Sequence, residues 1–529
     1  MSILSDRLSA EILQARQRVY TVGEPTPLQR LNLPGIQAPV YAKREDLGPI
    51  RAYKWRGAFN CMAALSQEAR DKGIVAASAG NHAQGVALAA RVLNCHATIF
   101  MPRSTPEVKQ TEVRRHGGRH VKIMLHGDCY DETAAAAHEY TETHGCTFVH
   151  PYDDLVTMAG QGTLADEVVM SGEGPFDRAY VAIGGGGLAA GVSTLAKLLN
   201  PNVKVIGVAC WLKKFWPRIK VIGVEGIDQA SMKTSIEQGR RVNLDYVDVF
   251  CDGTAVHIPG ELTYPLCREL VDEFVTVTNN EVCQAIRAMW ESSRVVPEPS
   301  GAMSLAGFLK QWNRGEVKPE EKSFVVISGA NMDFTHLTQI ARQAGIGNHE
   351  TRYLRISMDS KRGQVLKYLR HIPQDTTLVD VQYGKTEGST QYPVFGIAAS
   401  DEDLDTIRTT LKKKGIEFED ISEDDDVRFR MIHYQPELCQ HPLFVHIEFP
   451  ERAGAFLDFM ERIADLASLC YFNYTYTGER VGRALVGMEF DTAEDRETIR
   501  KRMSAFSKNI IRSIREISPE AFQRIMGSS

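Results

Sequence analysis

A lysine set between two aromatic residues is the most reactive-looking feature of this chain. The run Arg51-Ala52-Tyr53-Lys54-Trp55-Arg56-Gly57 places Lys54 among large apolar groups at the start of a stretch that reads as helix. Withdrawal from water disfavours the ammonium form, and a neutral amine can add to an aldehyde to give a Schiff base. The same residue types also occur where a lysine simply lies along apolar surface. Three later stretches bear on the choice: Ser78-Ala79-Gly80-Asn81-His82, Gly184-Gly185-Gly186-Gly187 and Ser328-Gly329-Ala330-Asn331. The four glycines stand between an apolar run and an amphipathic one. Glycine lets backbone come close to a ligand, and N–H groups at a helix start hold a phosphate dianion. A flexible turn is the plainer alternative. Neither a GxGxxG spacing nor a Gly-Lys-Ser/Thr sequence accompanies the glycines, which sets aside the dinucleotide fingerprint and the P-loop.

Such groups need a scaffold, and the sequence supplies an alternating one. Residues 73–78 read as a strand running into a helix that begins near Asn81, and 97–101 read as the next strand, stopped by Pro102. A helix over 106–116, a strand over 120–125 and a helix over 130–144 continue the alternation. Strands separated by helices of this length imply βαβ units and a parallel sheet covered by helices. Ligands of such sheets sit beyond the carboxyl ends of the strands, where Ser78 to His82 falls. A second α/β region spans about 177–345, with a strand over 178–183, the glycine turn, and a helix over 188–199.

Length and charge limit what else the chain does. With 529 residues it is too long for one core, so two or three domains are expected. Its 43% hydrophobic and 24% charged residues are ordinary for a globular protein, and a net charge of −6 with mixed signs gives no electrostatic basis for binding nucleic acid or an anionic membrane. The first residues read as a helix capped at Ser5, not a signal peptide, and no apolar run approaches a membrane span. Ten cysteines without a CxxC pair suit reduced thiols in a cytoplasm, and a zinc site is not expected.

Two repeats stand out. Val203-Lys204-Val205-Ile206-Gly207-Val208 recurs sixteen residues later as Ile219-Lys220-Val221-Ile222-Gly223-Val224, so one copy is expected in a sheet and the other as a loop. Beyond a linker at 345–349 the texture changes. Residues 356–363 parallel 447–454 at an offset of 91, and Tyr383 matches Tyr474 and Gly396 matches Gly487 at that same offset. Each copy reads strand, turn, helix (364–369; 455–466), strand, strand, helix, strand, the ferredoxin-like order. The acidic run 417–426 between them reads as a solvated connector.

Taken together, Lys54, the Ser78–His82 loop, the glycine turn and the Ser328–Asn331 run resemble the fold-type II pyridoxal-phosphate (PLP) enzymes, and within them the biosynthetic threonine dehydratases. The resemblance covers almost the whole chain with the motifs in order. It implies a tryptophan synthase β-like catalytic region over 1–345, with a smaller α/β subdomain at about 60–155 inserted in a larger one. Two ACT-like regulatory repeats are implied at 350–435 and 440–529. Lys54 matches the lysine of the pattern Ser-Phe/Tyr-Lys-x-Arg-Gly that carries PLP as a Schiff base, although Ala52 replaces the serine. Asn81 matches the asparagine that bonds the cofactor's ring oxygen, and Ser78, Ala79, Gly80, Asn81 and His82 match the loop receiving the substrate carboxylate. His82 is read as structural, not as a base. Gly184, Gly185, Gly186 and Gly187 are implied to cradle the phosphate, and Gly253 to line the cofactor edge. Glu298-Pro299-Ser300-Gly301 matches a landmark near the site. Ser328 matches the hydroxyl partner of the pyridine nitrogen, which suits β-elimination over transamination.

The resemblance further implies conversion of L-threonine to 2-oxobutanoate and ammonia as the first step of isoleucine biosynthesis. It also implies feedback by isoleucine, with valine a second candidate effector, a cytoplasmic homotetramer, and no metal. The catabolic serine/threonine dehydratases and serine racemases share the fold. Racemases of this kind carry a serine where this chain has Ala79, and divalent-metal-binding relatives carry an acid six residues after the glutamate matching Glu225, where this chain has Ser231. A non-catalytic amino-acid sensor is the alternative from another class. Strand-to-helix turns at Arg362-Gly363 and Ala453-Gly454, with Val365, Phe456 and Leu457 nearby, are where the tail is expected to hold its effector.

Overall fold

In the computed structural model the chain falls into two compact units, Met1–Phe334 and Thr335–Ser529. The structure describes residues 3–193, 216, 219–334 and 336–347, and in the C-terminal part 351–359, 377–382, 390–392, 394–399, 401–422, 424, 441–450, 459, 462–463, 465–475, 481–506, 510–518 and 520–521.

The central strands of the first unit, such as Ile74–Ala77 and Ser323–Ile327, are short apolar runs buried on both faces, which is the composition a covered parallel sheet demands. Its elements in order are α1 (Ile3–Val19), β1 (Leu28–Leu31), β2 (Val40–Arg44), α2 (Lys54–Ala64), α3 (Gln67–Asp71), β3 (Ile74–Ala77), α4 (Asn81–Val92), β4 (Ala97–Met101), α5 (Glu107–Gly117), β5 (Val121–Leu125), α6 (Tyr130–His144), β6 (Thr147–Phe148), α7 (Leu155–Met170), β7 (Arg178–Ala182), α8 (Gly187–Ser193), β8 (Lys220–Gly226), α9 (Ser231–Glu237), α10 (Thr263–Leu270), β9 (Glu273–Val277), α11 (Asn279–Ser293), α12 (Pro299–Asn313) and β10 (Ser323–Ile327). Two sheets result. The smaller has the order β5-β4-β3-β6 and is wholly parallel, with Ile74 opposite Ala97 and Ala97 opposite Val121. The larger has the order β1-β2-β10-β7-β8-β9 and is parallel except for β1. The small sheet is therefore an insertion between β2 and β7. Leu8 and Ile12 of α1 pack with Met158, Leu164 and Val168 of α7 and with Ala179 and Val181 of β7 in the main core.

Two expectations shift. Helix α1 already runs at Ile3, and Ser5 is buried inside its first turn, its hydroxyl 3.4 Å from Glu269 of α10, so it does not cap the helix. Of the duplicated segment, the second copy forms β8; the first lies outside the described residues. Trp216, just before β8, packs edge-on against Phe176 at 5.2 Å.

The second unit carries the 91-residue repeat as two sheets of identical topology. One orders its strands Thr377–Gln382, Val394–Ala398, Thr351–Ile356, Phe418–Asp420; the other Ser468–Thr475, Val481–Glu489, Leu443–Pro450, Ser513–Glu516. The registers coincide as well. Tyr353 faces Gly396 in the first sheet and Phe444 faces Gly487 in the second, each pair 91 residues apart from its counterpart. Even the irregularity repeats, with register shifts between Leu378 and Asp380 and between Leu469 and Tyr471. A β-bulge kept at the same place is a feature of the module, not an accident of one strand. The acidic run is only partly a connector. Phe418–Asp420 is an edge strand on Thr351–Ile356, tolerated because Arg355 pairs with Glu419 at 2.9 Å and Arg408 with Asp420 at 2.6 Å. The expected helix 364–369 and the turns at Arg362-Gly363 and Ala453-Gly454, with Val365, Phe456 and Leu457, lie outside the described residues. Of 455–466, Phe459, Arg462 and Ile463 are helical.

Candidate active site

The singled-out stretches occupy equivalent places in the chain fold. Ser78 to His82 follows β3, the glycine turn follows β7, and Ser328 to Asn331 follows β10, each at the carboxyl end of a parallel strand. Lys54 opens α2 after the loop that leaves β2. Backbone bonds bring two of these together: Ala52 and Gly329 form a bridge, Tyr53 N–H donates to the Ser328 carbonyl at 3.0 Å, and Ala330 N–H donates to the Arg51 carbonyl at 2.9 Å. The alanine at 52 is fully buried with Val19, Ile50, Trp55 and Leu88.

Burial pushes the Lys54 ammonium below its ordinary range, against the pull of Glu298 and Asp252. Trp55 turns into the cluster with Val19 and Leu88, and Tyr53 packs on the main core.

Asn81 and Asn331 form the polar centre. Asn81 Nδ2 donates to Glu298 Oε1 at 2.7 Å, while its Oδ1 accepts from Asn331 Nδ2 at 2.8 Å; Asn331 also reaches the Ile50 carbonyl at 2.7 Å. Three strand ends are thereby tied in one network. Glu298, the N-cap of α12, is buried, and its carboxyl is pushed up to about 8 by that burial, with Asp252 adding to the effect. Gly253 and Gly329 both press on this corner. A Cβ on Gly329 would lie 2.4 Å from Glu298 Oε1, and one on Gly253 would lie 2.9 Å from Ser300 Oγ. Beside it, Lys109 of α5 pairs with Asp252 at 2.6 Å, joining the small sheet's helices to the large sheet's loops.

His82 is held as a structural histidine. Its Nε2 meets the Val149 carbonyl at 2.9 Å, and burial drives its pKa down to about 3, so it is neutral. Ser78 Oγ accepts from Gly80 N–H at 3.2 Å, Ala79 is buried, and a Cβ on Gly80 would meet open space.

Protein side chains crowd the glycine turn. The neighbour that excludes a Cβ at Gly185 is the Tyr152 ring, 2.4 Å away, and Gly186 has φ +93 with Met232 and Thr263 close by. Thr263 Oγ1 also donates to the Gly185 carbonyl. The turn is clamped between protein side chains, with α8 beginning at Gly187.

Tyr152 and its loop were not picked out from sequence. His150 Nδ1 accepts N–H bonds from Tyr152 and Asp153 at 3.2 and 2.8 Å, and Asp153 accepts from the N–H groups of Glu261, Leu262 and Thr263. This His-Pro-Tyr-Asp run also follows a strand end, that of β6, and its position alone could have flagged it. Glu225, at the end of β8, spends its carboxylate on the N–H groups of Met232 and Lys233 at the start of α9, and burial pushes it up to about 8.

Comparisons with known proteins fit this geometry. The model of the pyridoxal-phosphate dependent enzyme family matches residues 19–211 and 206–329. The two pieces overlap within the duplicated segment. The model of the C-terminal regulatory domain of threonine dehydratase matches 439–513. The biosynthetic L-threonine dehydratase IlvA of Burkholderia multivorans is 36% identical over 488 residues, 91% of this chain and 92% of that one. The chain belongs to the biosynthetic threonine dehydratase family. IlvA of Haemophilus influenzae, 34% identical, covers 93% of both chains. Among solved structures, the processed threonine deaminase isoform 2 of Solanum lycopersicum aligns with a TM-score of 0.59 and 37% identity, covering 65% of this chain and 90% of that one. A serine racemase of Dictyostelium discoideum aligns with a TM-score of 0.53 and 29% identity, covering 61% and 98%.

The residues present fit the family's cofactor. Lys54 offers a desolvated amine, and Ser300 Oγ is buried without a hydrogen-bond partner in the protein. Ser328 Oγ has a long contact of 3.4 Å to the Ser300 carbonyl, which leaves its hydroxyl free to turn to a ring nitrogen. The start of α4 directs N–H groups to the same strand ends.

Proposed function

We propose that this threonine dehydratase converts L-threonine to 2-oxobutanoate and ammonia, with Lys54 as both the attachment point of PLP and the base. The desolvation of Lys54 carries the reading. PLP supplies an electron sink conjugated to the substrate nitrogen, which acidifies the Cα–H bond. Lys54 Nζ, whose ammonium form is disfavoured by its withdrawal from water, accepts the Cα proton. That proton then passes to the β-hydroxyl, which departs as water, and the released enamine hydrolyses to the oxo acid and ammonia. N–H groups at the Ser78–His82 turn hold the substrate carboxylate, and the strand-end turn at Gly184 to Gly187 holds the phosphate. Asn81 bonds the ring oxygen, Gly253 lines the ring edge, and Ser328 bonds the ring nitrogen without protonating it. Ala79 bears a methyl group that cannot return a proton to the opposite face of Cα, which favours elimination over racemisation.

The division of labour along the chain follows: a catalytic region over 1–345 and regulatory repeats over 350–435 and 440–529. The second repeat overlaps the match to the regulatory-domain family and the first repeats its topology, which supports an amino-acid effector, isoleucine first and valine second. We assign the enzyme to the cytoplasm as a homotetramer; no described helix is long and apolar enough to cross a membrane. Lys54→Ala tests the reading. It should lose the visible absorbance of the lysine-bound cofactor and about 10^3-fold or more in turnover. Retained turnover would remove Lys54 from the chemistry.

A further inference from the structure

We propose that Arg56, through a buried quartet of charges, is the positioning residue that fixes the start of α2 and so aims Lys54. The inference rests on the role given to Lys54 above. Lys43, Glu45, Arg56 and Glu167 have almost no exposed surface and come from four different places: β2, the turn after it, α2 and α7. Arg56 uses both arms. Its Nε and Nη2 reach the two oxygens of Glu45 at 2.8 and 3.0 Å, its Nη2 also reaches Glu167 Oε2 at 3.0 Å, and its Nη1 reaches Thr163 Oγ1 at 3.0 Å. Lys43 Nζ closes the ring, bonding Glu167 and the Thr26 carbonyl. Tyr20 OH and Thr26 N–H satisfy remaining oxygens of Glu167 at 2.8 and 3.0 Å. Two positive and two negative groups thus balance inside the protein with nearly every lone pair engaged.

The location gives this cluster its consequence. Residues before Lys54 are tied by backbone bonds to Ser328 and Ala330, and the residue two positions after it is Arg56. The adjoining backbone is in contact on both sides. A Cβ on Gly85 of α4 would lie 3.1 Å from the Lys54 carbonyl oxygen, and one on Gly160 of α7 would lie 2.5 Å from that of Arg56. Close packing sets how near α2 lies to its neighbours but resists rotation about the helix axis weakly. A two-armed guanidinium held by carboxylates on two elements resists that rotation directly, and the first turn, with Lys54 at its start, follows. Lysine cannot replace it, since a point charge lacks the fork.

The test compares holoenzymes. In the charge-balanced pair Arg56→Met with Glu167→Gln, the remaining Lys43 and Glu45 still neutralise each other, so the fold is expected to hold. Turnover should fall on the order of 100-fold with KM changed by no more than about threefold, because the base is misaimed while substrate contacts stay. The concentration of PLP needed to restore the visible band of the lysine-bound cofactor should rise by about tenfold or more. Wild-type turnover and PLP affinity in this folded variant would overturn the proposal. Should the pair prove insoluble, Arg56→Lys decides, since it keeps the charge and loses the fork. A kcat loss of at least about tenfold at unchanged KM supports the proposal, and wild-type kcat overturns it. Lys54→Ala, run in parallel, separates the failures. If it keeps the band and turnover, the role of Lys54 is wrong. If it loses both while the Arg56 variants are unaffected, only the positioning role falls.

Discussion

At the scale of single residues, burial acts on two opposite groups of the candidate site. The Lys54 amine is pushed towards its neutral form and the Glu298 carboxyl towards its protonated form, in one polar corner. For Glu298 this has a measurable consequence. Its folded-state pKa, about 8, lies above the ordinary 4.5, so the folded protein holds a proton that the unfolded chain has released. The resulting stability is fully present below pH 4.5 and is lost as pH rises through 8. Glu298→Gln is neutral throughout, so its Tm should fall less steeply over that window, by up to about one proton's worth of linkage. Glu225, also near 8, keeps part of the slope. Parallel Tm–pH curves for the two proteins would contradict the protonated state of Glu298. Residue types in short runs singled out Lys54, Asn81, His82 and Ser328 in the sequence, the last three just after a strand. The state of Glu298 was not legible, since it arises from burial and from the nearby Asp252, which only the fold brings about.

At the scale of elements, strand and helix alternation was readable because buried parallel strands are short continuous apolar runs such as Ile74–Ala77 and Ser323–Ile327. The helix over Tyr130–His144 and the start of α4 at Asn81 lie where the pattern put them. What the pattern could not show was which neighbour presses on the glycine turn. Tyr152 is 33 residues upstream of Gly185 and reaches it only across the two sheets' junction. Gly185→Ala should therefore cost about 1–3 kcal/mol by overpacking, measured by thermal melting, and weaken PLP binding. Adding Tyr152→Ala should return part of that loss, since the ring is the obstacle. Strictly additive effects of the two changes would show that the clash is absent.

At the scale of the whole molecule, two repeats that share strand order, register and bulge position 91 residues apart argue for one module used twice. Repetition was visible in the sequence from Gly396 and Gly487, and its meaning became clear when both glycines faced equivalent residues, Tyr353 and Phe444. If the pair is regulatory, isoleucine favours a low-activity state, and threonine must in turn weaken isoleucine binding. A chain ended near Gly347 should then keep PLP and activity but lose its response to isoleucine; calorimetry detecting no isoleucine binding to the full chain would leave the tail a structural element. The central claim is that the chain is an enzyme that eliminates water from L-threonine. Oxo-acid release by the purified PLP-loaded protein, measured with L-threonine, L-serine and D-serine, tests it most directly. The account predicts 2-oxobutanoate from L-threonine, suppressed by isoleucine and absent in Lys54→Ala. No oxo acid from L-threonine, or D-serine as the preferred substrate, would contradict it.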